Sequence, residues 1–338
     1  MPERPRGSSA STWRALLAAA VCFLAAAPCM VLLQQYLLPL GDARAVASAS
    51  RFQLAMAVVT YLTLRLVRVA PYGRHAEGTF LGPTVPAPLS WALQECPTLL
   101  SVTYYLFVEY PCHSLGCSGG QWTRIALEDT WGQAARAVAD GLASLHLGLL
   151  LFVIHYVHRS LLYPLLLRSG TPVPIEITLA ATLYCLLNGR LQLLANIRDS
   201  PAVPRLPLDS MSHMMLFFVG SVVFFAGMWV NLFSDYHLLR LKEQPPKRTR
   251  KIPHGGLFEY VSCANFLGEI VEWGGYTLVV WSTTAASKPE AGLAACSFFL
   301  YVMANLLPRG QAHHAWYIKH FGDAYKALRR RAVVPYVY

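Results

Sequence analysis

The sequence predicts an all-α, polytopic membrane helix bundle, and three observations carry that prediction. The 338 residues are 55% hydrophobic and only 14% charged, with a mean hydropathy of +0.39. Apolar runs near the ~20-residue bilayer-spanning length recur along the whole chain. The basic residues gather in the loops between those runs. A soluble domain carries about 25% charged residues. So small a charged fraction excludes disorder and leaves too little polar surface to cover a water-soluble globule of this size.

The spans follow in order at about 13–38, 50–69, 89–108, 141–166, 173–197, 213–240, 262–282 and 290–308. Arg4, Arg6 and Arg14 precede the first run, which is long for a cleaved signal and reads as a signal anchor. Arg65, Arg68 and Arg74 follow the second run, and Arg159 and Arg168 close the fourth. Lys242, Lys247, Arg248, Arg250 and Lys251 follow the sixth, and Lys319 to Arg331 the last. With alternating spans these clusters share one side, which the positive-inside rule makes cytosolic. The net charge of +10 is thus loop charge that orients the bundle, and nucleic acid is not indicated. The loop at 109–140 falls on the opposite side. It holds Cys112 and Cys117, which can pair if it is lumenal. With His113 they offer three zinc ligands where a structural site wants four. Most other cysteines, such as Cys22, Cys29, Cys185 and Cys296, sit in apolar runs as small core residues.

Function is read from the few polar groups that interrupt the spans. An ionisable side chain in a span costs roughly 2.5–3.5 kcal/mol on insertion scales, so it is a functional candidate. Trp91, Gln94 and Glu95 share one helical face, as do Tyr156, Arg159 and Tyr163. Asn231 and Asp235 are four residues apart, as are Asn265 and Glu269, with Glu272 extending the row. His313 and Tyr317 repeat that spacing. Taken singly, a stripe can be a helix cap or an interfacial aromatic. Five together point to an interior polar cavity that opens towards the basic face.

The soluble dinucleotide and P-loop fingerprints GxGxxG and GxxxxGK[ST] are absent. His155/His158 and His313-His314 are too few histidines for a di-iron oxidase, so no metal is expected. His254-Gly255-Gly256 follows a basic run, and its glycines permit close approach of backbone to a ligand.

Longer motifs carry a resemblance. Pro71-Tyr72-Gly73-Arg74-His75, Trp91-x-x-Gln94-Glu95-x-Pro97, His155-Tyr156-x-His158-Arg159 and Leu187-Asn188-Gly189 are similar to the steroid 5α-reductases. So are Asn231-x-x-Ser234-Asp235, the block from Ile252 to Ser262, Ala264-Asn265-Phe266-Leu267-Gly268-Glu269, His313-His314-x-Trp316-Tyr317 and the tail Pro335-Tyr336-Val337-Tyr338. The likeness covers about 50–338, interrupted by the insertion near 109–140. Gly82-Pro83-Thr84-Val85 and Asn305 to Arg309 resemble the plant branch, which acts in brassinosteroid synthesis. The chain then divides into an N-terminal extension, 1–48, with an extra apolar span, and a catalytic membrane domain, 49–338, of about seven helices.

The resemblance implies an endoplasmic-reticulum enzyme that takes NADPH from the cytosol and a 4-en-3-one steroid from the bilayer, and reduces the Δ4 double bond. By motif, Glu95 and Tyr156 match the pair that hydrogen-bonds the steroid 3-carbonyl, and Trp91 and Gln94 match the pocket wall. Arg159, Tyr163 and Arg168 match groups lining the cofactor cavity. Asn231, Asp235, Asn265, Glu269, His313 and Tyr317 match NADPH contacts, and Lys242 stands where the family often has an arginine or lysine. Two arginines known in the animal branch are replaced here by Ala180 and Thr171, so recognition of the 2′-phosphate passes to Lys242, Arg250 or Lys251.

The chemistry agrees with the stripes. Hydride addition β to a carbonyl builds charge on its oxygen, and a donor aimed there stabilises it. Tyr156 supplies a hydroxyl, and Glu95 carrying its proton donates as well. The alternatives are reduction of another activated alkene, such as a trans-2-enoyl-CoA or a polyprenol, and, further off, a membrane methyltransferase. A transporter would show two related halves with broken helices, and no such internal symmetry is present.

Overall fold

The computed structural model describes residues 32–67, 83–114, 131–167, 170–198, 210–245, 250–284 and 288–338. The fold is all-α, as expected, and falls into two compact units. Of the described residues, the first holds 32–46 and 83–198, and the second holds 47–67 and 210–338. Most of the extra N-terminal run, Arg168, Cys117 and much of the 109–140 insertion lie outside the described residues.

Among the described residues, five helices are long and apolar enough to cross a membrane: Ala43–Leu66, Gly148–Leu166, Ile175–Ala195, Met211–Glu243 and Pro289–Phe321. We label them by their α-helical cores and number every main helix in chain order. They are α1 (Ala43–Leu62), α2 (Ala87–Tyr104), α3 (Trp131–Ala143), α4 (Gly148–Val157), α5 (Ile175–Ala195), α6 (Met211–Glu243), α7 (Ala264–Thr284) and α8 (Pro289–Phe321). The spans expected at 89–108 and 262–282 are helices, α2 and α7, but neither is among the five apolar enough to cross a membrane. They are less apolar because they carry Gln94, Glu95 and Pro97, and Asn265, Glu269 and Glu272.

In the first unit, a two-residue antiparallel ladder pairs β1 (Thr84–Val85) with β2 (Val173–Pro174). Pro86 and Pro174 immediately precede α2 and α5, with φ near the value that the proline ring imposes. The ladder therefore sets the starts of α2 and α5 side by side. The two helices stay together along their length. Thr182 Oγ1 donates to the Leu93 carbonyl (3.2 Å), Thr98 Oγ1 donates to the Cys185 carbonyl (3.3 Å), and Gly189 sits against the Thr98 backbone. α2 and α4 each run on into a π-helical turn, at Tyr105–Glu109 and His158–Leu162. A π turn adds a residue to the helical repeat and is common at functional sites.

The first unit also buries an ion pair. Arg190 of α5 is fully buried and donates from Nη2 to Glu109 Oε1 (2.7 Å) and from Nη1 to Oε2 (2.5 Å). Its Nε and Nη2 also donate to the Leu38 carbonyl (3.1 and 2.9 Å). Four of the fork's five N–H directions thus point at two segments, at Leu38 and Glu109, that are far apart in sequence.

In the second unit, Ser210 caps α6 by accepting from the His213 N–H. Lys251 Nζ closes its other end by donating to the carbonyls of Leu241, Gln244 and Pro245. α6 and α7 touch through glycines seven apart on each helix, Gly220 and Gly227 against Gly268 and Gly275. A methyl on Gly227 or Gly268 would overlap the facing backbone, so only glycine permits this approach. Helix α8 runs to Gly322 (φ 57°), well beyond the expected end at 308. Pro308 does not break it, because the apolar run ends there but the helical register does not. The 33 residues of α6 or α8 make a rod of about 50 Å, against a hydrocarbon core of about 30 Å. Part of each helix must therefore lie beyond the hydrocarbon. The C-terminal strip returns to pair with the start of α7: Ser262 and Cys263 N–H donate to the Arg331 and Ala332 carbonyls (2.8 and 3.1 Å).

Candidate active site

The candidate steroid-binding residues sit on α2 and the α4 rod. Trp91 and Tyr163 meet edge to face at 5.3 Å. The Arg159 guanidinium lies 4.8 Å from the Trp91 ring and 5.0 Å from the Tyr163 ring. Arg159 is buried, and a cation held between two ring faces in a dry site is stabilised by their quadrupoles. Residues assigned by motif to the pocket wall (Trp91) and to the cofactor cavity (Arg159, Tyr163) therefore form one cluster.

Gln94 is held from behind. Its Nε2 donates to Ser90 Oγ (2.6 Å), and Ser90 Oγ bonds Thr178 Oγ1 of α5 (2.7 Å). Glu95 is half-buried, and the Cys185 thiol of α5 lies 3.9 Å from its Oε2. Tyr156 is buried at 4% exposure, its ring packed against Phe152 (4.7 Å) and His155 (5.2 Å). Cys96 Sγ, adjacent to Glu95, reaches the Ser160 carbonyl at 3.9 Å and ties α2 to the π turn that follows Tyr156. Glu95 and Tyr156 therefore stand on two helices that are fixed to one another.

The second unit gathers the other polar residues. Asn231 Nδ2 donates to the Asn265 carbonyl (2.9 Å), and Asn265 Nδ2 donates to Asp235 Oδ1 (2.9 Å). These bonds run across the α6–α7 seam, beside the Gly227–Gly268 contact. The buried Asn231 Oδ1 has no hydrogen-bond partner among the described residues. Glu269 lies one turn further along α7 and is half-buried. On α8, the His313 ring stands 5.7 Å from Phe266 and the Arg309 guanidinium 5.4 Å from the same ring. Tyr317 is buried in an aromatic stack with Tyr325 (4.9 Å) and Phe321 (6.0 Å). Lys242 is exposed in the last turn of α6, and Arg250 lies over Trp316 at 5.6 Å.

Two readings are altered by the structure. Lys251, one of the three cations expected to meet a 2′-phosphate, is already held by three carbonyls at the end of α6. The diglycine does adopt left-handed backbone (Gly255 φ 95°, Gly256 φ 55°), but the Gly255 N–H already donates to Glu259 Oε1. Arg330, buried at 4% exposure, secures the same loop by donating to the Pro253 carbonyl (2.7 Å) and Glu259 Oε2 (3.2 Å). That loop is an internal lock. The Gly255 N–H, backed by the Arg330 and His254 charges, holds the Glu259 carboxyl below its ordinary range.

Cys185, Thr178 and Ser90 were missed because they look like ordinary apolar-span residues, and only the α2–α5 contact gives them a role. Arg309 was within reach, since it lies four residues before His313.

Membrane-length helices with carboxylate, amide and phenol groups buried on a few of them describe a multi-pass membrane protein with a polar interior. A family profile described as 3-oxo-5-alpha-steroid 4-dehydrogenase matches residues 171–338. The chain is 36% identical over 280 residues to steroid 5-alpha-reductase DET2 of Arabidopsis thaliana, covering 80% of this chain and 88% of that protein. It is 34% identical over 286 residues to 3-oxo-5-alpha-steroid 4-dehydrogenase 1 of Bos taurus, covering 84% and 94%. It is 33% identical over 284 residues to 3-oxo-5-alpha-steroid 4-dehydrogenase 2 of Rattus norvegicus, covering 84% and 94%. The chain belongs to the steroid 5-alpha-reductase family and is an oxidoreductase acting on CH–CH bonds.

Proposed function

We propose that the chain reduces the Δ4 double bond of a 3-oxo steroid to the 5α product, with NADPH as reductant, in the endoplasmic reticulum membrane with its basic loops cytosolic. The relationship to named steroid reductases over at least 80% of the chain carries the reading. The presence of Glu95 and Tyr156 on adjoining helices supports it.

The residues assigned to NADPH fit a dinucleotide. Asn231 Oδ1 is a buried acceptor in want of a donor, as a ribose hydroxyl or an adenine amine provides. The Asn265 carbonyl orients that amide, Asp235 Oδ1 accepts from the Asn265 side chain, and Lys242 and Arg250 offer exposed cations suited to phosphate. Glu269, His313 and Tyr317 complete the set assigned within this unit, and Arg159, Tyr163 and Arg168 are assigned to the cofactor by motif alone. When bound, NADPH supplies the hydride that adds to the carbon β to the carbonyl.

The chain's own residues do the rest. As the β-carbon is reduced, charge accumulates on the 3-oxygen. The Tyr156 hydroxyl and a protonated Glu95 donate to that oxygen and stabilise the enolate. Burial of Tyr156 strengthens the effect, because water does not compete for the same oxygen. A proton drawn from water then adds to the α-carbon, so that hydride and proton together saturate the double bond and the carbonyl is restored. The Ser90–Thr178 relay fixes Gln94 on the wall beside Glu95.

The test is NADPH oxidation by membranes containing the full chain. Oxidation that begins only when a 4-en-3-one steroid is added, with a 5α-reduced product by mass spectrometry, is the expected result. Oxidation dependent on a trans-2-enoyl-CoA, with none on the steroid, would overturn the proposal.

A further inference from the structure

A cavity of about 530 Å³ lies within the second unit, between the end of the α1 rod, α8 and the C-terminal strip. Arg65, Arg331, Gln311, His314 and Tyr338 supply its polar wall, and Leu64 and Pro308 are among its apolar lining. Its size falls in the ~300–1,000 Å³ range of small-molecule sites. It is separate from the residues assigned to the cofactor. Gln311 and Ala315 of α8 line it, and each is two residues from His313, which places them about 200° around the helix.

Three features say what it is built to hold. Arg65 and Arg331 present two guanidiniums, whose planar forks match a phosphate. Gln311 Oε1 and the Tyr338 hydroxyl are buried there with no hydrogen-bond partner among the described residues. Buried polar atoms are normally satisfied, so an acceptor and a hydroxyl await a ligand that carries polar groups besides the phosphate. The wall is also fixed. His314 Nδ1 is bonded to Ser262 Oγ at 2.6 Å, and Ser262 Oγ in turn bonds the Tyr325 hydroxyl (2.7 Å) and accompanies the Arg331 carbonyl (3.1 Å).

Position supplies the source. Arg65 is one residue from the end of a candidate span, Ala43–Leu66. Gln311 lies towards the end of α8, the helix too long for the hydrocarbon alone. The cavity therefore opens where span meets headgroup, and basic pockets between spanning helices at that depth bind lipid headgroups.

We propose that this cavity binds an anionic phosphate bearing neighbouring hydroxyls, as on a membrane inositol lipid. The phosphate lies between Arg65 and Arg331. A headgroup hydroxyl donates to Gln311 Oε1, and the Tyr338 hydroxyl donates to a phosphate oxygen.

The full chain, purified in detergent, is incubated with phosphatidylinositol or phosphatidylcholine, and retained lipid is read by native mass spectrometry. Preferential retention of phosphatidylinositol is expected. Arg65→Gln with Arg331→Gln should lower that retention roughly thirtyfold, as the loss of two interfacial basic contacts implies. Arg65→Lys with Arg331→Lys should keep most of it. Should the glutamine pair fail to fold, Gln311→Leu with both arginines intact should still lower phosphatidylinositol retention at an unchanged melting temperature. Free inositol monophosphate separates the sources. Displacement of the lipid at equal concentration makes the soluble phosphate the ligand, and resistance makes it the lipid. Equal retention of the two lipids, or equal retention by wild type and both the glutamine pair and Gln311→Leu, would overturn the proposal.

Discussion

Gly268→Ala tests the link between helix packing and the candidate cofactor site. A methyl built on Gly268 meets the Asn231 N and Cα (the latter at 2.9 Å) and the Gly227 carbonyl oxygen at 2.8 Å. All three are backbone atoms, so no side chain can swing away. Ordinary contact begins near 3.4 Å, and α6 and α7 must therefore separate by at least about 0.5 Å, and more at the closest atom. The Asn231–Asn265 and Asn265–Asp235 bonds are 2.9 Å, and about 0.6 Å of opening takes them to the limit of a hydrogen bond. Overpacking costs about 1–3 kcal/mol, and each lost hydrogen bond about 0.5–1.5 kcal/mol more. The expected total is about 2–6 kcal/mol, with weakened NADPH binding. The assay is thermal unfolding in detergent with and without NADPH. Wild-type melting together with a wild-type NADPH-induced shift would refute the reasoning.

Three further outcomes follow from the same geometry. Asn265→Ala or Glu269→Ala should raise the KM for NADPH more than that for the steroid; a change confined to the steroid KM would remove them from the cofactor site. Glu109→Gln or Arg190→Leu should destabilise by about 3–5 kcal/mol, because each leaves a buried charge uncompensated, whereas replacing both by apolar residues should cost far less; equal melting of single variants and wild type would contradict this. The Glu259 carboxyl is held low by the Gly255 N–H and the Arg330 and His254 charges, so its contribution is complete above the ordinary value of 4.5 and is lost as pH falls through the lowered folded value. Hydrogen exchange at 250–263 should accelerate as pH falls below 4.5, after correction for intrinsic rates, and Glu259→Gln should show the faster exchange already at neutral pH; a loop equally protected in both proteins at neutral pH would count against the lock.

What was legible in the sequence was local. The apolar period located helices at the seven later positions, five of them apolar enough to cross a membrane, and the four-residue spacing of Asn231 and Asp235 found two members of a network that the structure closes through Asn265. Pairings across long stretches of chain were not legible. Arg190 and Glu109 are 81 residues apart, and Cys185 and Glu95 are 90 apart. No periodicity within one helix reports which helix faces it. The extent of α8 was misread for another reason: hydropathy marks where lipid ends, and α8 continues through Pro308 into polar residues. The glycines seven apart were visible on each helix, but a glycine row gains meaning only when its partner row is known. The motif-based assignment also split Trp91 from Arg159 and Tyr163, which the cation–ring contacts join.

The central claim is that Glu95 and Tyr156 hold the 3-oxygen of the steroid. Glu95→Gln and Tyr156→Phe, each expressed in membranes and matched for inserted protein, give the most direct measurement. The readout is kcat for a 4-en-3-one steroid at saturating NADPH. The account predicts a fall on the order of 10²–10³ for either variant, the loss typical of one oxyanion donor. Wild-type turnover in either variant would contradict it.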